Sequence, residues 1–225
     1  MPLQLPPLLS HRLVYAAFLG ILALGAQGIP DLHAEEMGMS RPEKAEPGSM
    51  DAHAHHHPTA TPALNRTTAA YTIPDVTLTD QNGKEVSLRS LLEGPKPVLL
   101  NFFFTSCTTI CPLMTGTFAQ VQKNLGFDAD KLRMISISID PEQDTPTQLA
   151  RYARRFDAGP QWSFLTGKPD DIVVVQRAFD AFRGDKMNHT PLTLLHASPK
   201  AEWIRYDGFA SGADLAKVAR GLFGS

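Results

Sequence analysis

Apolar and polar residues alternate through "DVTLTDQNGKEVSL" (75–88), with Val76 and Leu78 before Asn82-Gly83 and Val86 and Leu88 after it. A two-residue period on both sides of Asn-Gly predicts a β-hairpin. Two later runs, "PVLLNFFFT" (97–105) and "LRMISISID" (132–140), are continuously apolar. They predict strands covered on both faces. Helical patterns lie at "LMTGTFAQVQKNL" (113–125), "DTPTQLARYARRF" (144–156), "PDDIVVVQRAFDAF" (169–182) and "ADLAKVARGLF" (213–223). The second has a start signal: Asp144 or Thr145 can cap it, and Pro146 suits a first turn. "WSFLTG" (162–167) reads as a short strand. "TPLTLLHA" (190–197) and "EWIRYDG" (202–208) read as two antiparallel strands turning through "SPKA". Strands alternating with helices, then two neighbouring strands and a last helix, predict an α/β sandwich. Its central mixed sheet is flanked by helices and preceded by the hairpin.

Ahead of residue 71 the pattern changes. Leu13 to Gly28 is uncharged and follows Arg12, a positive end and an apolar run that predict export. Residues 1–34 are therefore read as a signal peptide or, if uncleaved, a membrane anchor near the lower length limit for a span. The expected location is the periplasm or cell envelope. Residues 35–70 have no periodicity, few large apolar groups and much Pro, Ala and Thr, the composition of a disordered linker. Within it, His53, His55, His56 and His57 follow Met37, Met39 and Met50. Imidazole and thioether both bind copper, although a polar tether with incidental histidines has the same composition. The folded domain is placed at 71–225.

Charge narrows the function. The chain has 21 Lys and Arg against 23 Asp and Glu, and the first 70 residues take four and six of these, leaving 17 of each. A neutral domain without a basic run has no long-range pull toward nucleic acid or anionic lipid.

The chemistry concentrates in "FFFTSCTTICPLM" (102–114), which holds both cysteines of the chain, Cys107 and Cys111. The helix that follows begins here, so the pair sits at the C-terminal edge of a central strand, where such sheets keep their sites. Pro112 suits the first helical position, making Cys111 the expected N-cap, where free backbone N–H groups stabilise a thiolate. Two thiols so placed can form a disulfide, exchange it with a partner, or grip one soft metal ion. A purely structural bridge gains little from closing so short a loop. Thiolates alone suit Cu(I); Cu(II) or Zn²⁺ asks for more ligands, imidazole first. The domain offers His189 and His196, seven residues apart across one strand. They face opposite sides and stand roughly 23 Å apart, so at most one can join the cysteines. If their strand lies antiparallel to 97–105, that one is His189.

"FFFTSCTTICP", "SIDPEQDTP" and "NHTPL" in this order resemble the Sco/SenC family of copper chaperones, over about residues 71–225. The resemblance implies a thioredoxin-like fold and one copper ion held by Cys107, Cys111 and His189. It implies a role in maturing the copper centre of a respiratory oxidase, by delivering copper or by reducing the target's cysteines. The partner would be the oxidase's copper-centre subunit or another copper or thiol carrier. Family members carry acidic residues at Asp140 and Asp144; helix capping explains Asp144 as well, and Asp140 stays open. Asn188 replaces an acidic residue that many members carry before the histidine, and a cis Thr190-Pro191 bond would lean toward thiol chemistry. The competing readings are an exported thiol–disulfide oxidoreductase using Cys107 and Cys111, a copper buffer or sensor, and a zinc site.

Overall fold

A computed structural model describes residues 64–223. The expected signal or anchor, and most of the expected linker, lie outside the described residues. The chain runs β1 (Asn65–Ala69), β2 (Thr77–Asp80), β3 (Glu85–Ser87), α1 (Leu88–Leu92), β4 (Val98–Phe103) and α2 (Ile110–Leu125). It continues through β5 (Arg133–Ser138), α3 (Pro146–Arg155), β6 (Trp162–Thr166), α4 (Pro169–Ala178), β7 (Leu192–His196), β8 (Trp203–Asp207) and α5 (Gly212–Gly221). All eight strands form one sheet in the order β1-β8-β7-β4-β5-β6-β2-β3.

The apolar runs occupy the centre, as a strand without polar alternation must. Every residue of β4 is buried, and β5 pairs parallel to it, with β6 parallel to β5. β7 pairs antiparallel to β4 on its other side. Alternate β4 residues serve opposite layers. Leu99 and Phe103 pack with Phe118 of α2, Tyr152 of α3 and Leu215 of α5. Leu100 and Phe102 pack with Leu92 of α1 and Val175 of α4. Burial of such side chains contributes about 1.5–3 kcal/mol each. It is also what fixes the strand's register, since a one-residue slip would exchange the two layers.

The hairpin forms where expected. Gly83 takes a φ of 80°, and Asp80 Oδ1 accepts from the N–H groups of Asn82 and Lys84 at 2.8 and 2.9 Å. β2 then adds the hairpin to the β6 edge.

Two elements were not foreseen. α1 follows the hairpin without a break, capped by the Ser87 hydroxyl, which accepts from Ser90 N–H. β1 lies inside the stretch read as linker, so the sheet begins earlier than residue 71. Four of its five residues are exposed, so it carries no apolar pattern to recognise. It is held by its ladder to β8 and by Arg66 Nε donating to Tyr206 Oη at 3.2 Å.

Candidate metal centre

β4 ends at Phe103, and the chain turns through residues 104–109 into α2. The turn is pinned from below. Asp144, fully buried, accepts from Thr105 N–H at 3.0 Å, from Thr105 Oγ1 at 2.5 Å and from Ser138 Oγ at 2.6 Å. The capping expected of Asp144 therefore belongs elsewhere: Thr145 is the N-cap of α3, its hydroxyl accepting from Gln148 N–H at 3.4 Å. Residues 105 and 144 are too far apart in the chain for a local pattern to announce their bond.

α2 also starts earlier than expected, with Thr109 as N-cap, Ile110 and Cys111 first in the helix, and Pro112 third. Pro112 is tolerated there because the first four N–H groups of a helix lack intrahelical partners anyway. The shift changes which sulfur the helix terminus serves. Cys111 N–H points at Cys107 Sγ, 3.4 Å away, and Thr109 Oγ1 stands 3.9 Å from the same sulfur. Both cysteines are free thiols, Cys107 half-buried and Cys111 fully buried. Burial works against ionisation of Cys107, but hydrogen bonds from the Cys111 thiol, the Cys111 backbone and Thr109 outweigh it and lower its pKa. Cys111 is pushed strongly up, first by burial and then by its hydrogen bond to Cys107. The thiolate expected at Cys111 is thus favoured at Cys107. Behind Cys111, Thr115 Oγ1 donates to its carbonyl at 2.8 Å and pairs with Tyr152 Oη at 3.0 Å. Burial pushes the Tyr152 phenol up to about 12, so this hydroxyl stays protonated.

The two histidines separate as the antiparallel pairing requires. Val98, the start of β4, faces His196 across the ladder, whereas Asn101 faces Thr193 nearer the other end. His196 is buried at the edge away from the cysteines, stacked on Trp203 at 4.3 Å, with Nε2 bonded to Ala201 O at 3.1 Å. His189 reaches the C-terminal edge of β4, where its Nε2 bonds Phe102 O at 3.0 Å. A carbonyl only accepts, so Nε2 carries the proton and Nδ1 keeps its lone pair. Burial lowers the pKa of this imidazole, against the opposing hydrogen bond to Phe102, which keeps the ring neutral.

The ring approaches from the α4 side. It lines a small cavity of about 100 Å³ with Ile139, Gln176 and Lys186, while Cys111 packs in the α2 layer. Among the described residues, no three His, Cys, Asp or Glu side chains converge closely enough to hold a metal ion as they stand. The fold brings Cys107, Cys111 and His189 to one edge but leaves the imidazole on the Phe102 carbonyl. Asp140, the acidic residue left open, pairs with Lys186 at 2.6 Å. Lys186, inside a stretch that reads only as loop, has no sequence signal. The Thr190-Pro191 bond is trans, since the described residues contain no cis peptide.

A family model described as SCO1/SenC matches residues 65–211. The chain belongs to this family. It is 43% identical over 98 residues to the SCO1 protein homolog of Bacillus subtilis, covering 43% of this chain and 50% of that one. Over 110 residues it is 33% identical to the mitochondrial SCO2 homolog of Bos taurus, covering 48% of this chain and 40% of that one. The chain spans about half the length of the curated relatives it matches. Among solved structures, the copper-bound ScoI of Bradyrhizobium japonicum superimposes with a TM-score of 0.58 at 31% identity, covering 67% of this chain and 99% of that one. BsSco, described as a Sco-family cytochrome c oxidase assembly protein with a disulfide switch, gives a TM-score of 0.59 at 30% identity, covering 70% and 96%. This Sco-family domain has the thioredoxin-like sandwich expected of it, a mixed sheet between helical layers.

Proposed function

We propose that the domain carries a copper ion as cargo on Cys107, Cys111 and His189 and serves the assembly of a respiratory oxidase copper centre outside the cytoplasm. The observation that carries this reading is the antiparallel pairing of β7 on β4, which brings His189, and not His196, to the cysteine edge. The donor set fits. Two thiols suit Cu(I), and a neutral imidazole with a free nitrogen lone pair lets the site hold Cu(II) as well. The second ring nitrogen on a backbone carbonyl is the usual support for a metal-binding histidine. Copper bound to the related Bradyrhizobium protein agrees with this reading. The partner is then an oxidase copper subunit or another copper carrier.

The test is a copper titration of the reduced full-length chain. One copper per domain is expected, with a sulfur-to-copper charge-transfer band for Cu(II). Copper binding that survives Cys107→Ser or Cys111→Ser overturns the site. A band and affinity unchanged in His189→Ala remove His189 from it.

The unequal thiols support a second reading, reduction of a partner's disulfide. The Cys107 thiolate attacks one partner sulfur, forming a mixed disulfide and releasing the other as a thiolate that takes a proton. Cys111, having lost its own proton, then attacks Cys107 Sγ and releases the second partner sulfur, which is protonated in turn. The partner gains two electrons and the domain keeps the disulfide. The same disulfide must be reduced before copper can enter, so the two readings share one pair of sulfurs.

A further inference from the structure

His189 is carried on a short 3-10 turn, Lys186–Asn188, stiffened by its own bonds. Asp185 Oδ1 accepts from Met187 N–H at 2.8 Å, Asp185 O from Asn188 N–H at 3.0 Å, and Lys186 O from His189 N–H at 3.1 Å. The approach to this turn is held by local bonds, with Asp185 N–H donating to Arg183 O and Arg183 Nη1 to Phe182 O, each at 3.0 Å. Residues 183–185 are exposed, and Gly184 takes a φ of 77°, where a side chain would add strain. Beyond the imidazole on Phe102 O, the turn is tied to the sheet through Lys186 Nζ, 2.6 Å from Asp140 Oδ2, on a carboxylate only 8% exposed. The same ammonium stands 5.7 Å from the centre of the Phe104 ring, at the start of the cysteine loop.

From Asp140 the contacts continue inward. Its N–H donates to Ser138 Oγ at 3.0 Å, and Ser138 Oγ donates to Asp144 Oδ2 at 2.6 Å. Asp144 in turn holds both N–H and Oγ1 of Thr105. One unbroken polar chain therefore runs from the turn that carries His189 to the loop that carries Cys107.

We propose that the Lys186–Asp140 ion pair is a latch that fixes the resting position of His189 beside the cysteine loop and so sets how tightly the site binds Cu(II). The second half rests on the copper reading above; the first does not. A carboxylate so little exposed has lost most of its water and depends on the lysine for compensation. Without the pair, the turn swings on Gly184, and a ligand that must be ordered on binding weakens that binding. Lys186 and Asp140 are positioning residues, acting on the metal only through His189.

The test uses the full chain with Lys186→Met, Lys186→Arg, Asp140→Asn and His189→Ala. In the metal-free reduced protein, Lys186→Met and Asp140→Asn are expected to speed amide exchange at Asn188 and His189 about tenfold and to shift the His189 ring nitrogens, with β4 amides unchanged. Lys186→Arg, which keeps the charge, should behave as the parent. Cu(II) affinity should fall about tenfold in Lys186→Met and Asp140→Asn, and no further when Lys186→Met is added to His189→Ala. Unchanged exchange and ring shifts in Lys186→Met overturn the latch whatever copper does, and this variant suffices if Asp140→Asn does not fold. Faster exchange with unchanged Cu(II) affinity, where His189→Ala does weaken binding, overturns the link to copper. A His189→Ala chain that binds Cu(II) like the parent overturns the ligand reading instead and leaves the latch standing on the exchange data.

Discussion

Cys107 and Cys111 share one short loop but not one environment. Cys107 lies at the mouth of the helix terminus, with a backbone N–H on its sulfur; Cys111 is fully buried in the core that also holds Phe104 and Tyr152. The thiolate is the reactive form, so iodoacetamide at pH 7 should modify Cys107 of the reduced protein well before Cys111, read by peptide mass spectrometry. The Cys107 rate should reach half its maximum at a lower pH than that of a free model thiol, because hydrogen bonds to its sulfur lower its pKa; equal rates at the two positions would contradict the asymmetry. His189 makes a separate prediction, on stability. Its folded pKa is depressed by burial, so the unfolded chain takes up this proton first as pH falls. In that window the unfolded state binds more protons, and stability drops as pH passes below about 6.5 toward the folded pKa. Denaturant titrations at pH 7.5 and 5.5 should therefore show a loss that His189→Gln reduces. An equal loss in both chains would place the effect elsewhere.

The segment joining β5 to α3 does more than change direction. It reads as strand end, turn and helix cap, and each of those is present: Ser138 closes β5, Thr145 caps α3 and Pro146 opens it. Between them, Asp144 turns inward to hold Thr105, and Asp140 turns outward to hold Lys186. The segment thus braces both loops of the site. Replacing Asp144 with Ala leaves the Thr105 N–H and two hydroxyls without their acceptor in a buried place. Loss of a buried, charge-assisted network of this kind costs about 3 kcal/mol or more. The midpoint of denaturant unfolding should fall accordingly, and amide exchange at Thr105 should rise; a cost under about 1 kcal/mol would mean the network is replaceable. The α2 boundary teaches a related lesson. Proline marks a first turn but not which of its positions it occupies, because several N–H groups there are unpaired. A shift of two residues was enough to transfer the helix's favour from Cys111 to Cys107.

Sheet order explains why the site needs the entire domain. β4 supplies the cysteine loop, its neighbour β5 leads into the acidic brace, and its other neighbour β7 follows directly from His189. The edges are guarded from the outside: β1 covers β8, and the hairpin covers β6. A chain beginning at Tyr71 should fold with an open β8 edge, a Tm lower by about 4 °C or more than a chain beginning at Leu64, and a greater tendency to self-associate. Identical melting of the two would make β1 dispensable. Most of this architecture could be read from the chain alone. Continuous apolar runs named the inner strands, Asn82-Gly83 named the hairpin, and a spacing of seven positions from His189 to His196 ensured that at most one could reach the thiols. Those signals are local, because burial and turn chemistry are written in neighbouring side chains. Other features came only with the folded chain: a strand without an apolar pattern, a carboxylate bonded to a residue far back in the sequence, a lysine holding the histidine's turn, and a ring resting on Phe102 O rather than on sulfur. Each is a polar contact between distant segments, and such contacts leave no period in the sequence because their geometry exists only after the layers have packed.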